Sequence, residues 1–185
     1  FIKNGEIIQI NTNIKNINNN ITSFVISINE KRKLEMKNKL GDEVYFIEAE
    51  KFPKNVSRKE RYKILGYNHI KCWKKALDMN LDETFIFEDD VIFIKNWRYI
   101  INEFINIKKP DIIRFDSIPW RHFSDLNVNK IAFYKELDHN CMGGYYMSKK
   151  ALRYCVDFFK DKTWKWGSCE NAFAEANQYF YNSIY

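Results

Sequence analysis

The sequence predicts an α/β fold built on a mainly parallel central sheet with helices on both faces. Residues 24–28, 44–47 and 84–87 are short runs that read as strands, and 84–87, aromatic and β-branched, reads as a strand buried on both faces. The segments between them carry the three- and four-residue spacing of helices. Strand, helix, strand, helix, strand is the pattern that joins parallel strands through crossovers. A chain of 185 residues fits one domain with an appendage and is long enough to bury a sizeable core.

Residues 1–21 stand apart. Ile7, Ile8 and Ile10 suit one short strand, and 11–20 is mostly Asn, a low-complexity loop signal. We expect an Asn-rich appendage over 1–21 and a single domain over 22–185. The first core strand leads to a charged helix opened by Asn29 or Glu30 and stopped after Leu40 by Gly41. The second strand runs out towards Glu48 and Glu50. Ser57-Arg58-Lys59-Glu60 has the form of a capping box and begins a long helix. Tyr62, Leu65, His69, Cys72, Trp73 and Leu77 give that helix one inward face, and Asn80 ends it. Asn96 is expected to cap a third helix to about Ile107, broken by Pro110. A fourth strand follows at 111–116, then an irregular loop at 117–130 with Trp120, Arg121 and His122, and an edge strand at 131–134. Gly143 and Gly144 open an extended segment where backbone can approach a ligand or a neighbouring strand closely. Ser148 caps a helix to about Lys160. A Trp-rich loop at 163–167 then leads to Ser168, which caps a last helix.

Aromatic residues make up 17% of the chain, which points to a densely packed core or to rings stacked on sugars or bases. The net charge of +6 favours anionic partners such as nucleotide phosphates or anionic lipid. Its Lys and Arg are scattered along the sequence, so no specific nucleic-acid partner is expected. The four cysteines, Cys72, Cys141, Cys155 and Cys169, form no CxxC pair and argue against zinc. Cys72 and Cys155 fall at apolar helix positions and read as buried thiols. No disulfide pattern, signal peptide or membrane-spanning run is evident, so the expected location is cytoplasmic or peripheral to a membrane.

The chemistry concentrates where the 84–87 strand ends, at Glu88-Asp89-Asp90. Ligands of open α/β sheets bind beyond the carboxyl ends of the strands. Three adjacent carboxylates repel one another, and a hard divalent cation with oxygen ligands relieves the repulsion. In an extended chain Glu88 and Asp90 point one way and Asp89 the other. The triplet reads as a metal–diphosphate site, the alternative being a solvated acidic turn. Asn68-His69 reads either as a structural pair or as a donor contact. Glu48, ending the second strand, reads as a base or ribose acceptor or as a rim carboxylate. Lys31-Arg32-Lys33 lies near a helix start, where anions are favoured, or is simply a solvated face. Trp164, Trp166 and Glu170 form an acceptor-side cluster in which Glu170 could act as base, or else packed Trp side chains and a Glu complementing a helix dipole. No P-loop, GxGxxG, GxSxG or HExxH motif occurs.

Asn68-His69 through Ala76, followed by Phe85-Ile86-Phe87-Glu88-Asp89-Asp90-Val91, resembles glycosyltransferase family 25, whose pattern is a Ser-His pair, a helix with Trp, and a strand ending Glu-Asp-Asp. Residues 25–28 are similar to the family's opening strand and 111–116 to its next strand. Residues 144–152 are similar to its Gly/Ala-Tyr-x-x-Ser-x-x-Ala-x-x-Leu segment. Asn68 stands where the family usually has Ser. The resemblance implies a GT-A-like fold and a metal-dependent hexosyltransferase. That enzyme would move galactose or glucose from a UDP-sugar to a glycan or a hydroxylysine-type hydroxyl, with inversion. It implies Mn²⁺ or Mg²⁺ at Asp90 with Glu88 assisting, and a donor site drawn from Ile28, Glu48, Asn68, His69, Glu88 and Asp89. Inversion requires a separate carboxylate on the acceptor side, for which Glu170 comes first and Asp116 second. The alternatives are a catalytically inactive UDP-sugar-binding member of the fold, and a basic nucleic-acid-binding or phosphoryl-transfer domain.

Overall fold

The structure, a computed structural model, describes residues 21–93, 96–115 and 142–160. The elements run β1 (Ser23–Ser27), α1 (Glu30–Leu40), β2 (Val44–Glu48), α2 (Arg58–Asp78), β3 (Glu83–Glu88), α3 (Trp97–Lys108), β4 (Ile112–Arg114), β5 (Gly144–Ser148) and α4 (Lys149–Lys160). The expectations for the Asn-rich appendage, the 117–130 loop, the 131–134 strand, the Trp-rich loop, the last helix, Asp116 and Glu170 lie outside the described residues.

The sheet has five strands in the order β2-β1-β3-β5-β4. β1 pairs in parallel with β2 and with β3, whereas β5 lies antiparallel between β3 and β4. Four strands therefore share one direction and β5 alone opposes them, which makes the sheet mixed but mainly parallel. The reversal brings the start of β5 to the carboxyl end of β3, where the Glu88 N–H donates to the Gly143 carbonyl at 2.7 Å.

Strand alternation divides the core into two layers. Phe24, Ile26, Ile86, Tyr145 and Met147 face α2 and α4, meeting Cys72, Trp73, Leu152 and Cys155. Val25, Phe85, Phe87, Ile113 and Tyr146 face α1 and α3, meeting Met36, Leu40, Ile101 and Ile105. Helices thus cover both faces, and the central strands β1 and β3 are apolar at consecutive positions because both of their faces are buried, whereas the edge strand β2 is only partly covered. Ile21, the first described residue, packs into the second layer.

Local chemistry fixes the helix ends. Asn29 accepts from the Arg32 N–H, and Gly41 closes α1 with φ of 89°, a conformation that suits glycine. Ser57 and Glu60 form the expected reciprocal box at the start of α2. The Ser148 hydroxyl accepts from the Ala151 N–H. Asn96 departs from expectation: it sits left-handed at φ 62° and makes no side-chain cap, a conformation that Asn tolerates better than most residues.

The inward face expected of α2 also proves shorter. Its buried residues begin at Gly66, and Tyr62 and Leu65 are only partly covered. The six residues of β3 span roughly 20 Å, a length that about 13 helical residues match, whereas α2 has 21. The Asn68 carboxamide meets the backbone just beyond β2, and the His69 ring meets the last residue of β3. The first turns of α2 therefore stand beyond the carboxyl edge of the sheet.

Candidate functional site

The carboxyl ends of β1, β2 and β3 meet at one edge. Ile26 is in register with Glu88, and Ser27 with Glu48. Ile28 follows β1 and is 48% exposed, and Glu48 is exposed. The Glu88–Asp90 turn lies among them, pinned from both sides. Phe87 leads into it from the core. Phe93 returns behind it, with its ring 4.9 Å from Phe87 and stacked 4.7 Å from Trp97. Phe85, Phe87, Phe93, Trp97 and Phe115 form one aromatic cluster here.

The three carboxylates are placed differently. Asp89 faces α1: the Ser27 hydroxyl donates to its Oδ2 at 2.5 Å and Arg32 Nη1 donates to its Oδ1 at 2.8 Å. This pairing raises the Arg32 guanidinium above its ordinary pKa, chiefly through the hydrogen bond to Asp89. Of the Lys31-Arg32-Lys33 run, Arg32 thus serves the acidic turn directly. Glu88 faces α2, with its Oε1 3.5 Å from His69 Nε2, an approach longer than an ordinary hydrogen bond. Asp90 is exposed.

Behind Glu88 lies a buried polar chain. His69 is 2% exposed, and Trp73 and Tyr145 are fully buried. His69 Nδ1 and Trp73 Nε1 each lie 2.9 Å from the Tyr145 hydroxyl. An indole N–H only donates, so the phenol oxygen accepts from Trp73 and has its own proton to offer Nδ1. When the phenol donates to Nδ1, the neutral ring carries its proton on Nε2, towards Glu88. Neither Tyr145 nor Trp73 stands out in the sequence as a site residue, because their partners come together only when β5 docks beside β3.

Asn68 is 1% exposed, and its side-chain carbonyl accepts from the Glu50 N–H at 3.1 Å, tying the loop after β2 to α2. Gly144 resolves its two readings in favour of a neighbour within the sheet: a Cβ there would lie 3.0 Å from Phe87 Cδ1. Cys72 and Cys155 are buried as expected, and burial pushes the Cys72 pKa up. Among the described residues no helix is long and apolar enough to cross a membrane.

Among the described residues no group of three or more His, Cys, Asp or Glu side chains forms a metal cage. Glu88 and Asp90 offer one or two carboxylates, the number Mg²⁺ or Mn²⁺ takes when substrate phosphates supply further ligands.

The model of the family described as glycosyltransferase family 25 (LPS biosynthesis protein) matches residues 66–169, more than half of the chain. The chain belongs to glycosyltransferase family 25. The match takes in the Asn68-His69 pair, the acidic turn and β5, so this family 25 protein is a glycosyltransferase that handles a sugar donor and an acceptor. A solved structure described as a glycosyltransferase involved in the glycosylation of the major capsid of PBCV-1 aligns at 15% identity with a TM-score of 0.45, over 89% of this chain and 75% of that one. No curated protein matches the chain.

Proposed function

We propose that this family 25 chain transfers a hexose, galactose or glucose, from a UDP-sugar to a hydroxyl of a glycan or of a glycosylatable protein, with inversion at the anomeric carbon and with help from Mn²⁺ or Mg²⁺. The observation that carries this reading is the division of labour in the acidic turn. Asp89 is paired with Ser27 and Arg32, Glu88 lies 3.5 Å from His69 Nε2, and Asp90 is left exposed at the strand ends.

In this reading Asp90 and Glu88 hold the cation, which when bound offsets the charge of the diphosphate leaving group. Ile28 offers an apolar surface and Glu48 a carboxylate acceptor to the nucleoside end. Asn68 acts on the donor through the loop it ties down, and His69 acts through Glu88. The acceptor oxygen attacks the anomeric carbon as the bond from that carbon to the diphosphate breaks. UDP departs with the bonding electrons, and the hydroxyl proton passes to a carboxylate on the acceptor side. We assign that base to Glu170, with Asp116 second. Acceptor encounter at a membrane surface would rest on the net charge of +6.

The deciding experiment is calorimetric titration of UDP with Mn²⁺ into the wild type and Asp90→Ala. The wild type is expected to bind only with metal, and the variant to lose that binding while its circular dichroism stays unchanged. Metal-dependent binding that survives in the variant would refute the assignment. Glu170→Gln should keep UDP affinity and lose turnover.

A further inference from the structure

The projecting start of α2 builds something that the donor site does not use. With the loop after β2 it borders an open pocket of about 580 Å³ lined by Phe52, Val56, Arg58, Arg61, Tyr62 and Leu65. The wall is cationic. From Glu50 to Lys63 the chain carries six Lys and Arg against two carboxylates. Both carboxylates are already engaged, Glu50 with Lys71 Nζ at 2.6 Å and Glu60 within the capping box. Neither Arg58 nor Arg61 has a carboxylate partner among the described residues.

Both guanidiniums are nonetheless positioned. Arg58 lies 5.3 Å from the centroid of Tyr62 and donates through Nε to the Tyr62 hydroxyl at 2.8 Å, which leaves its outer N–H groups for a ligand. Arg61 lies 6.0 Å from the ring of Phe52, itself 45% exposed. Guanidiniums held beside aromatic rings with open N–H edges are suited to planar, bidentate recognition of phosphate or carboxylate. Arg61 and Arg58 precede His69 by eight and eleven residues, so they stand roughly 12 and 16 Å up the helix from the contact with Glu88. The negative charge of a UDP-sugar is confined to its diphosphate, which the proposed reading holds at Glu88 and Asp90. An anion at the Arg pair therefore belongs to the other substrate.

We propose that this pocket is an acceptor subsite for a sugar bearing a phosphate or carboxylate group, with Arg58 and Arg61 taking the anion and the exposed face of Phe52 packing on the sugar ring. The proposal rests on the donor reading for its separation from the diphosphate, and its test keeps the two apart. Galactose 6-phosphate, galacturonate, galactose and inorganic phosphate are titrated into the full chain and into Arg58→Gln/Arg61→Gln, with amide NMR shifts of residues 52–65 as readout. UDP with Mn²⁺ is titrated in parallel. The wild type should bind at least one of the two anionic sugars ten-fold or more tighter than galactose and tighter than inorganic phosphate, and which of the two binds identifies the anion. The double variant should lose that preference and keep UDP affinity within two-fold.

Equal responses to charged and neutral sugars would overturn the proposal, as would anionic binding that survives in the variant. Inorganic phosphate binding as well as the sugar phosphate would reduce the pocket to an anion site. UDP affinity falling with the Arg pair would make it part of the donor site. A DNA duplex displacing the sugars with a steep salt dependence would replace it with a nucleic-acid surface. If UDP fails to bind the wild type, the donor reading fails while the sugar titrations still decide the subsite.

Discussion

Removing one oxygen at Tyr145 tests how the acidic turn is held. Tyr145→Phe keeps the ring and therefore the packing of a fully buried side chain, but it strips the partner from two buried groups, the Trp73 N–H and His69 Nδ1. A buried polar group left unsatisfied costs about 1–3 kcal/mol, so the pair should cost roughly 2–6 kcal/mol. With a urea dependence of about 2 kcal/mol per molar, the unfolding midpoint should fall by roughly 1–3 M. The site should respond as well, because His69 loses the contact that sets which ring nitrogen carries its proton. Nitrogen-15 NMR of the His69 ring should show the Nε2–H form in the wild type and a mixture in the variant, and UDP affinity with Mn²⁺ should fall about ten-fold, as loss of outer-shell support commonly does. A stability loss under about 0.5 kcal/mol would show that the hydroxyl is not the buried hub described here. An unchanged His69 ring signature would refute its role in the orientation of Glu88.

Gly144→Ala should destabilise by about 1–3 kcal/mol in the same urea assay, because the added methyl meets a Phe87 ring hemmed in by Phe93, Trp97 and Phe115. Hydrogen bonds from Ser57 lower the Glu60 pKa, so the stability it contributes should be present at neutral pH and disappear as the pH falls below the ordinary glutamate range through the lower folded value. Glu60→Gln compared with wild type across pH should show a difference that vanishes in acid, and a difference that persists there would contradict the linkage. Native-state alkylation mapped by mass spectrometry should leave Cys72 and Cys155 unmodified until urea is added, since both thiols are buried. Asp89→Asn should weaken metal-dependent UDP binding less than Asp90→Ala does, because Asp89 acts through Ser27 and Arg32; an equal loss in both would place Asp89 on the ligand.

What could be read from the chain divides along sequence distance. The caps at Asn29, Ser57 and Ser148 involve partners three residues away, and each was visible as a local pattern. β1 and β3 were visible because burial on both faces leaves unbroken apolar runs. The acidic turn was placed correctly at a strand end by the same logic. Its internal division was not visible, because Asp89 meets Ser27 and Arg32 across 62 and 57 residues and His69 meets Tyr145 across 76. Those meetings depend on strand order, with β3 between β1 and an inverted β5, and no local propensity encodes that order. The face of α2 was legible as a stripe, but periodicity cannot say where the sheet beneath it ends. Tyr62 and Leu65 were therefore read as core when they line a pocket.

The inverted β5 links two parts of this edge. The chain leaves β4 at Phe115 and comes back at Gly144 along the same border, and the Phe115 N–H closes the gap by donating to the Gly144 carbonyl at 2.9 Å. That bond and the one from the Glu88 N–H to the Gly143 carbonyl anchor the start of β5 at two points, to the end of β4 and to the acidic turn. A displacement of β5 would therefore carry to both at once.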